Sequence, residues 1–495
     1  MILKRTAMLG IVLGAALTGT AVLPAFADET STPAGIKDFQ AQSLIKADGT
    51  YWEWGGNHPA PTQVPGLNEV AASFENGLVV KEDQSVWHWE YKNATTVVVE
   101  EIPSLHQLCQ VLDIGNALIA LEQGGNVYTI PRNEEGKLNW NMIAAVDKLK
   151  DISAISSYYT EPQGKMMLLF LKKDGSLWSS DENLQSINPV KTAGNVKSIN
   201  GNYVLLADGT VQVFPAMGNA SWATVTPPTI LPLKDIQLIK TNRISNAAVD
   251  GQHRLWFWGN TLTGVSDGTV LHEHKTPVML NGIRNVKEVF LVERSLVVLT
   301  HDGKVYGTSL DGESLPANAK FSLLASDIRE VAAGGRHIIM QTNTGALWGW
   351  GINKLAEQGT GDYEYMHHMP VPMQPPVTVV LNGQPVALNN GVIIRHSQAF
   401  VPIRSVFEQL GAKVDWDVNS KTVTISKSGT TAADAVTIKI QFPQGTTMVN
   451  GKASVFDTAP FNLSATSYLP LRFISESLGA KVEWIKEDNR IAITN

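Results

Sequence analysis

Two imidazoles flank a carboxylate in His272-Glu273-His274, a grouping that could bind a metal ion, and His367-His368 offers a second pair. Alternation beside Asp267 and Gly268 matches a solvated loop better than a ligand set, so both groups are read as loops. Asp415, Asp417 and Asn419 stand at the spacing of the first three calcium-loop ligands, but Ser420 takes the glycine position and Ser426 the closing glutamate. A turn is predicted there instead. Cys109, the only cysteine, lies among Leu105, Leu108, Val111 and Leu112 and reads as a buried apolar thiol, with no disulfide available. The chain carries no GxSxG elbow, no GxxxxGK[ST] loop, no GxGxxG after a strand and no HExxH helix. The expectation is a non-catalytic protein without catalytic residues, metal or cofactor.

Four segments carry tryptophan at alternate positions: Trp52/Trp54, Trp87/Trp89, Trp256/Trp258 and Trp348/Trp350. In a strand, residues two apart share a face, so each pair forms a flat aromatic surface that could stack on a sugar ring. Trp54, Trp89, Trp258 and Trp350 are therefore the candidate ligand contacts. The competing role, wedging packed sheets apart, is favoured because large aromatics dominate buried contact area.

The elements that hold these residues repeat. A β-rich run, a tight Asp-Gly-like turn and a second run with alternating aromatics occur first at Leu44 to Gly55, around Asp48-Gly49. The theme returns at 78–89, 117–128, 167–178, 203–214, 247–258, 296–306 and 338–350. Asp-Gly between alternating apolar runs predicts a hairpin whose two turn residues both adopt positive φ. A further short run precedes most hairpins, as in Ile36-Lys37-Asp38-Phe39 and Leu149-Lys150-Asp151-Ile152, so each unit holds at least three strands. Units about 35 to 50 residues apart indicate a closed array, because an open stack would expose sheet edges. The fold class is mainly β: a β-propeller of seven or eight blades followed by a small duplicated α+β domain.

These units resemble the regulator of chromosome condensation repeat family. The last is the best match, with Val331-Ala332-Ala333-Gly334-Gly335-Arg336-His337, then Trp350-Gly351-Ile352-Asn353 and Gln358-Gly359-Thr360-Gly361-Asp362. Trp54-Gly55-Gly56-Asn57 and Trp258-Gly259-Asn260 carry the same ending, and the remaining units have lost most of the glycines. The resemblance implies a propeller over residues 36–370. Pro370-Val371-Pro372-Met373 is placed to supply an outer strand before Ile36 and close the ring. Nucleotide exchange on a small GTPase, the family's best-known role, is opposed by the export signal described below.

After a Pro-rich linker at 371–376 the pattern changes, and two segments align at a constant offset of 68 residues. Phe400-Val401-Pro402-Ile403-Arg404 matches Tyr468-Leu469-Pro470-Leu471-Arg472, and Leu410-Gly411-Ala412-Lys413-Val414-Asp415-Trp416 matches Leu478-Gly479-Ala480-Lys481-Val482-Glu483-Trp484. Ile403, Val406, Phe407 and Leu410 recur at helical spacing, with Pro402 at the start and Gly411 at the end. Each half is predicted as hairpin, helix and hairpin, with Arg404–Glu408 and Arg472–Glu476 as ion pairs along the helices. The repeated Val-Pro-Ile-Arg or Leu-Pro-Leu-Arg and Leu-Gly-Ala-Lys-Val runs resemble the copper amine oxidase N-terminal, or stalk, domain, here over 377–495. That resemblance concerns a non-catalytic appendage, carries no copper site, and implies an extracellular spacer or attachment module.

Lys4 and Arg5 precede an apolar run from Ala7 to Leu23, then Pro24-Ala25-Phe26-Ala27 and polar Asp28. Residues 1–27 are read as a signal peptide cleaved after Ala27, leaving no transmembrane segment in the mature chain. Loss of its two cations lowers the formal charge from −7 to −9, which suggests no nucleic-acid partner. The expected protein is secreted or bound to the bacterial surface, its propeller presenting loops to an extracellular protein or a cell-wall polysaccharide. The alternative is a glycan- or peptide-cleaving enzyme whose site is built from propeller loops.

Overall fold

The computed structural model describes residues 35–93, 96–160, 164–214, 229–265, 268–429, 435–442, 445–464 and 466–495. The expected signal peptide, and Asp267, lie outside the described residues. Eight four-stranded antiparallel sheets follow one another over 36–63, 70–106, 108–145, 152–190, 196–230, 236–280, 286–325 and 328–372, each with its strands in chain order. The seven-or-eight expectation thus resolves to eight blades, and each repeat has four strands.

The first strand of each blade lies on the inner wall, where the first strands of the third to seventh blades touch one another in succession. Each carries a bulge at its second residue: Lys37, Ala71, Cys109, Ser153, Lys197, Gln237, Lys287 and Arg329. A bulge bends a strand and increases its twist, which suits a strand leaving a tight turn at the ring's centre.

The hairpin turns differ from the expected form. In the first, Gly49 N donates to Lys46 O and Lys46 N to Thr50 O, a three-residue loop in which only Gly49 has positive φ. The loop is a type I turn closed by a left-handed residue, not the two-residue type with two left-handed positions. The Asp in it is used differently: Asp48 accepts from the backbone and hydroxyl of Thr50, as Asp83 does from Ser85 and Asp208 from Thr210. In the sixth blade the turn lies two residues beyond the expected Asp250-Gly251, because Asp250 ends the strand and His253 takes the left-handed place.

The left-handed place also joins blades. Gly209 O accepts from Ile236 N at the start of the next blade, and a Cβ on Gly209 would lie 2.8 Å from Asp235 Cα. Gly209→Ala is therefore expected to cost about 1–3 kcal/mol, from strained backbone and the clash together, read as a lower urea midpoint.

Apolar seams between blades complete the ring. Leu78, Ile102, Leu118 and Ile130 share one seam, Ile119, Val127, Ile155 and Phe170 the next, and Ala247, Phe257, Val289 and Leu296 another. Residues 370–373 do not cross to the first blade, contrary to expectation. Met366–Pro372 is the outer strand of the last blade and pairs with Leu347–Ile352. Closure comes from side chains: Phe39, Leu44, Trp52 and Trp54 pack on Ile339, Leu347 and Met373. Because Val371 and Pro372 are ladder residues, the join between ring and C-terminal module begins after them, later than the expected 371–376 linker.

In the C-terminal module, α1 (Ile403–Phe407) and α2 (Leu471–Ser477) are equivalent at the offset of 68. Gln398–Pro402 pairs antiparallel with Thr466–Pro470, and the equivalent residues Val401 and Leu469 face each other at the centre of the pairing. The two halves are therefore related by a pseudo-twofold axis. Thr378–Leu381 pairs parallel with Arg490–Thr494, whereas at the matching place in the other half Val436–Gln441 is inserted between Thr422–Lys427 and Thr446–Val449. Neither expected helical ion pair forms, since α1 stops before Glu408 and no Arg–Glu contact joins either pair among the described residues. Asp417 accepts from Asn419 N and Ser420 N, the predicted turn.

Candidate functional site

The four candidate tryptophans point into seams. Trp54, Trp89, Trp258 and Trp350 are 3%, 7%, 3% and 8% exposed, too little for a ring to stack on their faces. Trp54 Nε1 donates to Glu357 O, Trp258 Nε1 to the Tyr203 hydroxyl and Trp350 Nε1 to His368 O. As ligand contacts they are corrected to wedges. The reason is that the third strand of a blade lies against the preceding sheet, as Trp54 does on Ile339, Trp89 on Tyr51 and Trp258 on Tyr203, while the partners Trp87, Trp256 and Trp348 stay half-buried.

The histidine groups also move. His272 and His274 lie in the strand Val270–Leu280, not in a loop, with Nε2 atoms 2.7 and 3.2 Å from the hydroxyls of Thr263 and Thr261. His367 is buried at 5% exposure in an outer strand, with Nδ1 2.9 Å from Gln358 Oε1. Gln358 N in turn donates to Asn353 Oδ1, and Asn353 Nδ2 donates to Asp362 Oδ1. The asparagine of the Trp-Gly-x-Asn ending thus ties down the loop that follows it. Cys109 is exposed on the inner wall, not buried, because the bulge turns it out of the ladder. Partial burial still raises its thiol pKa, which makes it a weak nucleophile.

The inner wall holds four cations at bulge positions, Lys37, Lys197, Lys287 and Arg329. Lys37 pairs with Glu82 at 2.9 Å, Lys197 Nζ donates to Gln237 Oε1, and Lys287 Nζ donates to Arg329 O. Each contact reaches the following blade, so these side chains link neighbours around the wall.

A second polar group sits where the ring meets the C-terminal module, and the sequence reading missed it. Glu53 lies between Trp52 and Trp54 on the opposite strand face, so it turns toward Tyr51 and Tyr91. Burial pushes its carboxyl up to about 7, against a hydrogen bond from Tyr91 that favours the charged form. Burial also raises the Tyr91 and Tyr51 hydroxyls, the latter to about 12. His58 stacks on Tyr91 with ring centres 5.0 Å apart, its Nε2 3.7 Å from Glu53 Oε1, and burial lowers its pKa. Asn390 of the module accepts from the Thr466 hydroxyl and donates to Asn57 O at 2.8 Å and His58 Nδ1 at 3.0 Å. A carboxyl poised near neutrality beside an imidazole and a phenol can exchange protons, and the clue available beforehand was an acid inside an otherwise aromatic strand.

Because the folded chain holds the Glu53 proton more tightly than the unfolded chain, its contribution is full below about pH 4.5 and is lost as pH rises through 7. The shift is worth on the order of 3 kcal/mol. His58 acts oppositely, its contribution being lost as pH falls below its ordinary 6.5. Glu53→Gln is expected to gain stability over wild type between pH 5 and pH 8, read from thermal midpoints at the two values.

The module docks beside this group. Gly391 N donates to Thr62 Oγ1 at 2.7 Å, Ala60 packs with Ile393, Phe400 and Tyr468, and Ile394 N donates to Gln374 Oε1. Lys46 Nζ reaches Asp488 O, 3.4 Å away. These contacts gather on the first blade and on Gln374, whose amide is itself bonded to Thr360 O of the last blade, so they lie where the ring closes.

An eight-bladed propeller carrying a duplicated α+β module is the class that these elements define. Residues 380–493 match the family described as the copper amine oxidase N-terminal domain. Comparison with the curated proteins finds no match. Among solved structures the chain is similar to human WBSCR16, at 15% identity and TM-score 0.43, covering 66% of this chain and 94% of that one. It is also similar to Prp20p from Saccharomyces cerevisiae, described with its binding to Gsp1p and histones, at 17% identity and TM-score 0.39, covering 68% and 90%. A third is PorZ, a bacterial surface component of the type-IX secretion system of Porphyromonas gingivalis, at 13% identity and TM-score 0.29, covering 72% and 52%.

Proposed function

We propose that the protein is a non-catalytic binding or scaffold protein outside the cell, its ring presenting loops to an extracellular protein or cell-wall glycan and its C-terminal module serving as attachment or spacer. The observation that carries this reading is the docking of the module where the ring closes. A spacer that grips the closing seam holds the propeller in one orientation, as a scaffold requires. The location rests on reading residues 1–27 as a signal peptide, from Lys4 and Arg5 before the apolar run. Incubating the full-length mature chain with purified cell wall, and separately with a glycan array, tests the proposal. Saturable binding to either is expected, and failure on both, together with no captured extracellular protein, removes it.

A second reading rests on Glu53. A carboxyl near neutrality is what an acid–base catalyst needs, and hydrolysis of a glycan or peptide that disappears in Glu53→Gln would favour the enzyme.

A further inference from the structure

Seven successive junctions, from the first blade to the eighth, repeat one juxtaposition. At each, the left-handed residue of one blade faces the first turn residue of the next, because the strand that opens the next blade bonds to both turns. Between blades six and seven, His253 O accepts from Val286 N at 3.0 Å, and His301 N donates to Asn285 O at 3.0 Å. Elsewhere the left-handed place holds glycine, as in Gly49, Gly125, Gly175, Gly209, Gly303 and Gly345, or Gln84. Here it holds His253 at φ 57°, and the facing place holds His301. A β-carbon in this conformation costs stability, and such outliers collect at functional positions.

The two rings meet edge to face, with centroids 4.4 Å apart and an angle of 76°. His301 Nε2 lies 3.1 Å from His253 Nδ1, and both residues are exposed. On a tetrahedral ion with metal–nitrogen bonds of about 2.0–2.1 Å, two ligand nitrogens stand roughly 3.3–3.4 Å apart. The observed spacing is close to that span, and the backbone of both residues is already pinned by the contacts between blades.

We propose that His253 and His301 form a transition-metal site joining blades six and seven, taking a borderline divalent ion such as Zn2+ or Ni2+. The ion takes the place of the hydrogen between His301 Nε2 and His253 Nδ1, and each neutral ring then carries its one N–H on the nitrogen that faces away from the ion. Among the described residues no cluster of three or more His, Cys, Asp or Glu could hold a metal, so water fills the other positions. Imidazole donors select such ions over Ca2+ and Mg2+, which prefer oxygen.

Titration of the untagged mature chain with ZnCl2 and NiCl2, followed by calorimetry and by thermal midpoint, tests the site. One ion per chain and a raised midpoint are expected, with CaCl2 giving neither. His301→Ala and His253→Gly should each weaken binding at least about tenfold. His253→Gly also relieves the left-handed strain, so its metal-free midpoint should equal or exceed that of wild type, which separates loss of a ligand from misfolding. A His272→Ala/His274→Ala double variant should bind as wild type does. Undiminished binding by His253→Gly, loss of binding in the double variant, calcium binding of equal strength, or no zinc or nickel binding would each overturn the proposal.

Discussion

Trp54→Ala is expected to lower the stability of the protein by about 3–5 kcal/mol, the range for removing a buried tryptophan from a packed core. The indole lies in the seam that closes the ring, where no strand passes from the last blade to the first. It packs against Gly359, whose added Cβ would lie 3.0 Å from Trp54 Cγ, and its Nε1 donates to Glu357 O at 2.9 Å. Alanine leaves a cavity and an orphaned carbonyl together. Urea unfolding followed by tryptophan fluorescence measures the loss, and a midpoint within error of wild type would show that the seam does not hold the ring shut. A paired comparison isolates the hydrogen bond. Trp54→Phe keeps most of the wedge but loses the donor, at about 1–2 kcal/mol, whereas Trp89→Phe should cost less because Trp89 Nε1 is buried without a partner.

Gly391→Val is expected to release the C-terminal module from the ring. A Cβ at this position would lie 2.1 Å from Pro61 O and 3.0 Å from Ala60 O, both backbone atoms of the first blade's outer strand. Gly391 is not among the residues of positive φ, so the effect is a clash and not a conformational penalty. Overpacking commonly costs about 1–3 kcal/mol, and a rigid strand cannot retreat without breaking its ladder. The cheaper response is loss of the Gly391–Thr62 hydrogen bond and of the Ala60 contact with Ile393, Phe400 and Tyr468. Two separate calorimetric transitions and rapid proteolysis near residues 373–377 should replace a single transition. Gly335→Val, at a residue without positive φ and with open space around its Cβ, serves as the comparison. A single unchanged transition for Gly391→Val would show that the docking contributes little.

The hairpins and the duplicated helices were legible because each depends on residues close in the chain. Alternating aromatics and a glycine at the turn declare a hairpin within twelve residues, and the offset of 68 declares a pseudo-twofold module. The same local view misplaced Cys109, His272, His274 and His367. Their exposure depends on a bulge, a long third hairpin or a loop that folds back, none of which leaves a periodic mark. The turn type was misjudged because Asp-Gly is compatible with both loop lengths, and the packing of the next blade against the glycine favours the longer one.

Repetition, the duplication and the aromatic strand faces are properties of the amino-acid order alone, since a tight turn and a two-residue period need only near neighbours. Closure without an exchanged strand, the burial of all four candidate tryptophans, the poised Glu53 and the meeting of His253 with His301 were decided by tertiary structure. Each depends on groups from different blades. Trp54 and Glu357 stand 303 positions apart, and only the curvature of eight successive sheets brings such residues within reach of one another.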